Sequence, residues 1–370
     1  MHDILEGVGK LECKLVLRHL IHEEKLFTLD LLNQRLSSFS YGFVDMKNKP
    51  SLISASTLLN EDSSFKNSAS QMWCFIRYLP LIIGDQIPRG NQYWELLILL
   101  RRVMDIAFAR EVTESMIGHL RYHLEDHHTL FKKLFPARDL TPKHHFLVHY
   151  PFMIEKVGPL INCWCMRYEA KHAIAKCLAT VVGNFKDIAK TVAERHQISQ
   201  CHRWYTHGVG QNPVIRNPVK QLIRETEGCA TLLGKFPNLC EVDEIVVNKS
   251  ISLHGTEYRS GMSVNIGVQD CMPSFGKLID MYCIGSDIYL FGTMWETHGF
   301  DDHFYAYEVL SRYPVEFFLI KQDELRSYQP LQVVSSYDEQ RKELLYISLR
   351  SAAVLTGRIN EHMLIGPRIC

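Results

Sequence analysis

The 370-residue sequence predicts an α+β protein: a mainly helical N-terminal part followed by a small antiparallel β-barrel or sandwich. Three observations predict it. Apolar residues recur at intervals of three and four through residues 1–207, a turn-rich connection follows, and short β-type runs separated by turn signals fill the rest. The expected organisation is a helical domain over 1–207, a linker over 208–241, a β-rich domain over 242–350 and a C-terminal tail over 351–370. A composition of 46% hydrophobic and 22% charged residues excludes wholesale disorder, and the length is enough for two apolar cores.

From Ile4 to Leu36 the apolar residues, among them Leu11, Leu15, Leu20, Leu29, Leu32 and Leu36, keep helical spacing. Residues 40–70, with Tyr41-Gly42-Phe43, Lys49-Pro50 and a Ser/Asn-rich stretch, read as an exposed loop. Helices are expected again over Ala69 to Ile83, Tyr93 to Ala109 and Thr113 to Leu134. Pro136, Pro142, Pro151 and Pro159 then divide short pieces, and Arg167 to His196 reads as one helix rich in Ala, Lys and Glu. His207 to Pro218 is turn-rich, and the segment up to Cys240 shows no clear period. Strands are expected at Glu244–Val247, Met262–Val268, Lys277–Ile284, Asp287–Trp295, Tyr305–Leu310, Val315–Ile320 and Leu344–Leu349, with Gly285-Ser286 as a tight hairpin turn.

Net charge is zero but unevenly spread. Residues 1–210 carry 26 Lys/Arg against 21 Asp/Glu, and residues 242–370 carry 11 against 17. A mildly basic first part suits a nucleic-acid-facing body, and the last part an acidic module. The eleven Cys lie at irregular spacings, without the dense framework of a small secreted scaffold, so reduced thiols in the nucleus or cytoplasm are expected. The N-terminus has no basic or apolar signal region, and the longest apolar runs are too short to span a bilayer, so no membrane partner is expected.

Several local patterns bear on chemistry. His145 and His149 stand one helical turn apart, a spacing able to hold a metal, but Phe146 occupies the place where a zinc hydrolase has its glutamate; packing around Tyr150 and Pro151 is the favoured reading. Cys163-Trp164-Cys165 is a C-x-C pair with no C-x-x-C elsewhere, which reads as a buried extended segment whose thiols act as small apolar groups. Gly7-Val8-Gly9-Lys10 lacks the second half of a phosphate loop, and no G-x-S-x-G occurs. Arg167-Tyr168-Glu169-Ala170-Lys171-His172 gathers a carboxylate, an imidazole and two cations at a helix start: Glu169 and His172 are candidate metal ligands, and the cations are candidate phosphate ligands.

That cluster follows two other segments in a fixed order: Met1-His2-Asp3-Ile4-Leu5-Glu6-Gly7-Val8, then the run from Leu140 to Pro151, then Trp164 to His172. Together they resemble the later portion of transposase-derived proteins related to the CACTA-type (En/Spm-like) DDE transposases. The resemblance covers most of residues 1–205, and continues into Phe275–Ile279 and His303–Val309 of the β-rich part. It implies a partial ribonuclease-H-like core with a helical insertion. In the intact family three carboxylates bind two Mg²⁺ ions for phosphodiester cleavage and strand transfer. Residue by residue, Glu169 matches the third acid, and His2 matches the histidine of an Asp-x-x-His element whose aspartate would precede Met1. The expectation is therefore an N-terminally truncated, catalytically incomplete protein in which His2 and Glu169 are vestigial and no Mg²⁺ is held. Asp3 and Glu6 are expected to leave from other faces and to be poor substitutes. Residual DNA binding is assigned to Arg121, Lys132, Lys133, Lys143, Arg167 and Lys171. The alternative from another class is a protein-interaction scaffold acting through the acidic β-rich domain.

Overall fold

The apolar residues that recur from Ile4 onward wind into one helical rod. In the computed structural model, which describes residues 2–184, 186–207, 213–253, 255–270, 272–337 and 342–351, a π-helical turn Ile4–Val8 runs into α1 (Gly9–Arg18) and a second π-helical turn, His19–Glu23. Ile4, Leu5, Val8, Cys13, Val16, Leu17 and Leu20 are fully buried, as expected of the apolar face of an amphipathic helix. Lys25, at φ 57°, turns the chain out of the rod. Helix α2 (Leu29–Ser38) then starts at Thr28, whose hydroxyl accepts the Leu31 N–H.

Residues 40–70 are not an exposed loop. They hold α3 (Gly42–Asp45) and α4 (Ala55–Leu59), and bury Tyr41, Asp45, Ile53, Leu58 and Phe65. Asparagines in and beside this stretch are spent on its backbone. Asn33 bonds both the N–H and the carbonyl of Ile53 at 2.9 and 2.8 Å, and Asn67 accepts the Ser51 N–H at 2.8 Å. The Lys14 ammonium ties down the carbonyls of Asn60 and Ser63. Such bonds satisfy polar groups that burial would otherwise leave unpaired.

Helix α5 (Ala69–Ile83) starts at a Ser68/Gln71 capping box and is buried along most of its length. Asn91 caps α6 (Gln92–Ala107), and Thr113 caps α7 (Glu114–Leu134), which packs against it. Two short helices follow, α8 (Pro142–Val148) and α9 (Tyr150–Val157). The stretch expected as one helix over 167–196 is two: α10 (Met166–Val182) ends where Gly183 adopts the left-handed conformation at φ 61°, and α11 (Ile188–His207) begins beyond it. These two pack on each other, and among their described side chains none is buried. Ile174, Val181, Ile198, Trp204 and Tyr205 face solvent.

The stretch 208–241 is structured where described. It holds β1 (Val214–Ile215), β2 (Val219–Leu222) and α12 (Cys229–Lys235), and its Ile223 and Leu232 are fully buried against Ile245, Val247, Tyr282 and Phe291. The remaining strands are β3 (Glu244–Asn248), β4 (Ser250–Leu253), β5 (Thr256–Arg259), β6 (Ser263–Gln269), β7 (Met272–Ile284), β8 (Asp287–Asp301), β9 (Ala306–Ser311), β10 (Phe317–Lys321), β11 (Ser327–Leu331), β12 (Val333–Tyr337) and β13 (Glu343–Ile347). Gly285, at φ 62°, makes the turn that pairs Ile284 with Asp287.

The ten-stranded antiparallel sheet runs β11-β6-β7-β8-β9-β13-β12, with β10 on β8 and the β2-β3 pair on β7; β1, β4 and β5 form a separate three-stranded sheet. Strands β7 and β8 are long, and bulges between Leu278 and Asp280 and between Thr297 and Gly299 let their two halves pair with different neighbours. The sheet curls into a half-barrel. The protein is thus helical in its N-terminal part and antiparallel β in its C-terminal part.

The two parts share one core. Phe304, Tyr305, Ala306, Val334 and Tyr346 belong to the buried cluster that α1, α5, α6 and α7 build. Polar ties frame it: Arg89 grips Asp301 at 2.6 and 3.2 Å, Trp94 Nε1 donates to the His303 carbonyl, and Arg101 Nη2 donates to the Leu349 carbonyl at 2.6 Å. Burying each such large apolar side chain contributes about 1.5–3 kcal/mol, so this seam stabilises both parts. Among the described residues no helix is long and apolar enough to cross a membrane.

Candidate functional site

Three segments distant in sequence converge at the start of the rod. The first turn of the rod packs against α8. Gly7 makes room there: a Cβ would sit 2.1 Å from the Lys143 side chain, whose Nζ donates to the carbonyls of Glu6 at 3.0 Å and His2 at 3.3 Å. Tyr150, at the start of α9, donates its hydroxyl to the Asp3 carboxylate at 3.0 Å. Burial, and then Asp3 beside it, push the Tyr150 phenol well up, so it stays protonated and able to donate. The third segment brings the first turn of α10: His2 Nε2 lies 3.2 Å from Glu169 Oε1.

His2, Cys165 and Glu169 each place one ligand atom within 4.8 Å of the others. Cys165 and Glu169 lie four apart at the helix start, which puts them on one face. The other ring nitrogen of His2 bonds Glu6, so the imidazole is held by a carboxylate on each side. Both His2 and Glu169 keep 53% of their side-chain surface exposed. His172 is exposed and is not a member of this group.

The Mg²⁺ pair implied by the resemblance can be tested against these donors. Magnesium takes oxygen ligands in octahedral geometry, and two ions need several carboxylates, one of them bridging. One carboxylate, one imidazole and one thiol do not fit that requirement; an imidazole–thiolate–carboxylate set suits a softer ion better.

Cys163-Trp164-Cys165 is not a buried extended segment. It forms the turn between a 3₁₀ turn, Leu160–Asn162, and α10, with Cys163 exposed and Cys165 half-buried. Only Trp164 turns inward, edge-on to Trp73 at 5.5 Å and tilted against Phe108 at 5.6 Å. His145 and His149 are exposed, with their Nε2 atoms 3.1 Å apart.

The six cations assigned to DNA are not one free surface. Arg121 is paired with Glu155, Lys132 lies 3.6 Å from Asp139 and donates to the Arg138 carbonyl, and Lys143 is occupied beneath the rod. Lys133 and Lys171 are exposed with no ion pair among the described residues. Arg167 lies in α10, but its side chain is outside the described residues.

One polar cluster escaped sequence reasoning. Glu12 is fully buried and accepts from His127 Nε2 at 2.8 Å and His144 Nε2 at 3.1 Å. His144 Nδ1 accepts the Thr141 N–H at 3.1 Å, which leaves its proton on Nε2 for Glu12. Burial raises the Glu12 carboxyl, but the two imidazoles outweigh it and hold it below its ordinary value. Little in the sequence signals it, because Glu12 lies among other charged residues of the rod, Lys10, Lys14 and Arg18, and its partners are remote.

Comparison of the chain with protein-family models, with curated proteins and with solved structures found no match.

Proposed function

We propose that the protein is transposase-derived and catalytically incomplete, with residual DNA binding by its helical part. What supports this reading is one observation: the three segments that resemble CACTA-type transposases meet at a single place, where His2 and Glu169 stand 3.2 Å apart. On this reading the helical part belongs to a ribonuclease-H-like core with its helical insertion. His2 and Glu169 are vestiges of a phosphodiester-cleaving centre, and their donor set cannot hold a magnesium pair. Lys133 and Lys171, exposed and outside ion pairs among the described residues, are the cations best placed for phosphates. The test is a fluorescence-anisotropy titration of labelled duplex DNA at increasing salt. The reading predicts an affinity that falls steeply with salt as counterions are released, and a shallower slope in the Lys133→Ala, Lys171→Ala double variant. Salt-independent or undetectable duplex binding would remove it.

A second reading keeps the protein-interaction scaffold but moves its surface from the acidic β-rich domain to the α10–α11 pair, whose Ile174, Val181, Ile198, Trp204 and Tyr205 lie exposed. Loss of partner capture on deleting that pair, with duplex binding absent, would favour it.

A further inference from the structure

Beside the His2–Glu169 group, on the adjoining side of α10, lies a cavity of about 390 Å³. Its wall is aromatic. Trp73, Phe108 and Trp164 form a three-ring cluster with centroids 5.5 to 5.6 Å apart, and Tyr168 stands at the rim, 69% exposed. Both indole N–H groups of that wall lack an acceptor among the described residues, an unmet hydrogen-bonding demand.

Apart from Ile161 and Ser351, the rest of the lining is cationic or amide. Arg110, Lys171 and Arg350 contribute guanidinium and ammonium groups, and among the described residues no carboxylate lines the cavity. Arg350 is anchored by a 2.8 Å bond to the Asp45 carboxylate, and the Arg110 guanidinium lies 4.5 Å from the Tyr328 ring centre, so both are held in place. Lys171 follows Tyr168 by three residues and therefore shares its face of α10. The amides of Asn162 and Gln329 complete the lining with donors and acceptors.

Flat rings beside cations match a ligand that is itself a flat ring carrying negative charge. We infer that this cavity binds a nucleotide, with its base against Trp164 and Tyr168 and its phosphate at Lys171. Stacking on aromatic side chains tolerates any base, and cations hold the phosphate, the pairing found wherever single nucleotide units are gripped. The volume falls within the range of small-molecule sites. A free nucleotide and one nucleotide of a single strand present the same chemistry, so the inference goes beyond duplex binding and does not depend on it.

The experiment is titration of the intact chain with 5′-deoxyadenylate, deoxyadenosine and a short oligodeoxythymidylate, read by quenching of tryptophan fluorescence. Saturable quenching by deoxyadenylate is expected, at least about tenfold weaker for deoxyadenosine, which lacks the phosphate. Tighter binding of the oligonucleotide than of the mononucleotide identifies a strand as the source; equal or weaker binding identifies free nucleotide. Tyr168→Ala and Lys171→Ala alter exposed side chains and leave the fold intact, and each is expected to weaken binding about tenfold. Absence of saturable quenching by either phosphorylated probe, or quenching identical in the native chain and both variants, overturns the inference. Quenching without any duplex binding upholds it while removing the DNA-binding reading above.

Discussion

Two glutamates in the helical part meet imidazole nitrogens in opposite surroundings. Glu12, in the middle of the rod, is wholly buried and accepts from both His127 and His144. Glu169, at the start of α10, meets His2 with half of its surface in water. The chemistry is nearly the same, but the consequence differs. In the low-dielectric core a carboxylate without donors is very costly, so the two histidines are conditions of folding. At the surface, water screens the Glu169–His2 pair, and its worth to stability is small. The buried cluster is committed to structure, and the exposed one is left available for chemistry or binding.

The largest expected effect breaks the first cluster. Glu12→Ala leaves two imidazole donors in a dry core and should lower stability by about 3–5 kcal/mol, seen as a drop in the urea midpoint. The matching change at the surface, Glu169→Ala, should stay within about 0.5 kcal/mol. Comparable losses from both variants would erase the distinction between the clusters.

Acid sharpens the comparison next. Burial, helped by Arg102 and His119, lowers His123 to about 4, and burial, helped by His127 and His144, lowers His128 to about 4. The folded protein therefore binds fewer protons than the unfolded chain from pH 6.5, the ordinary value, down to about 4, and stability must fall as pH drops through that window. Glu12 is held below its ordinary value by the two imidazoles that face it. Thermal midpoints measured across the window should fall steadily, and His123→Gln should flatten the slope. A flat profile for the native chain would show that these imidazoles are not buried neutral.

The smallest effect lies at the surface. His2→Ala should leave the thermal midpoint unchanged within about 0.5 kcal/mol of stability, because the imidazole is half exposed and its two carboxylate neighbours can hydrate once it is gone. A clear destabilisation would mean that His2 closes the rod's N-terminus as a structural clasp.

How far these regions were legible in the sequence follows from the range of the forces that set them. The span of α5 was read without error because Ser68 and Gln71 mark its start locally, and the hairpin at Gly285 was read because a two-residue turn carries its own signature. The break at Gly183 was missed because Ala, Lys and Glu on both sides favour helix, and only the left-handed glycine ends it. Strands β4 and β5 were missed because four residues each, pairing with each other across the short reversal between them, show too little alternation to register. Within the candidate site, Glu169 and His2 were named from motif, but Cys165 was set aside as an apolar filler. The Glu12 cluster was invisible because its partners are remote in sequence, on α7 and α8, and nothing near Glu12 names them.

The exposed group, with Glu6 and Glu169 on opposite nitrogens of His2 and a thiol beside Glu169, does not supply the converging oxygen ligands that a magnesium pair on a phosphodiester needs. The direct measurement is incubation of the purified chain with supercoiled plasmid in magnesium buffer. The account predicts that the plasmid stays supercoiled and that Glu169→Ala changes nothing. Magnesium-dependent nicking that disappears in Glu169→Ala would contradict it.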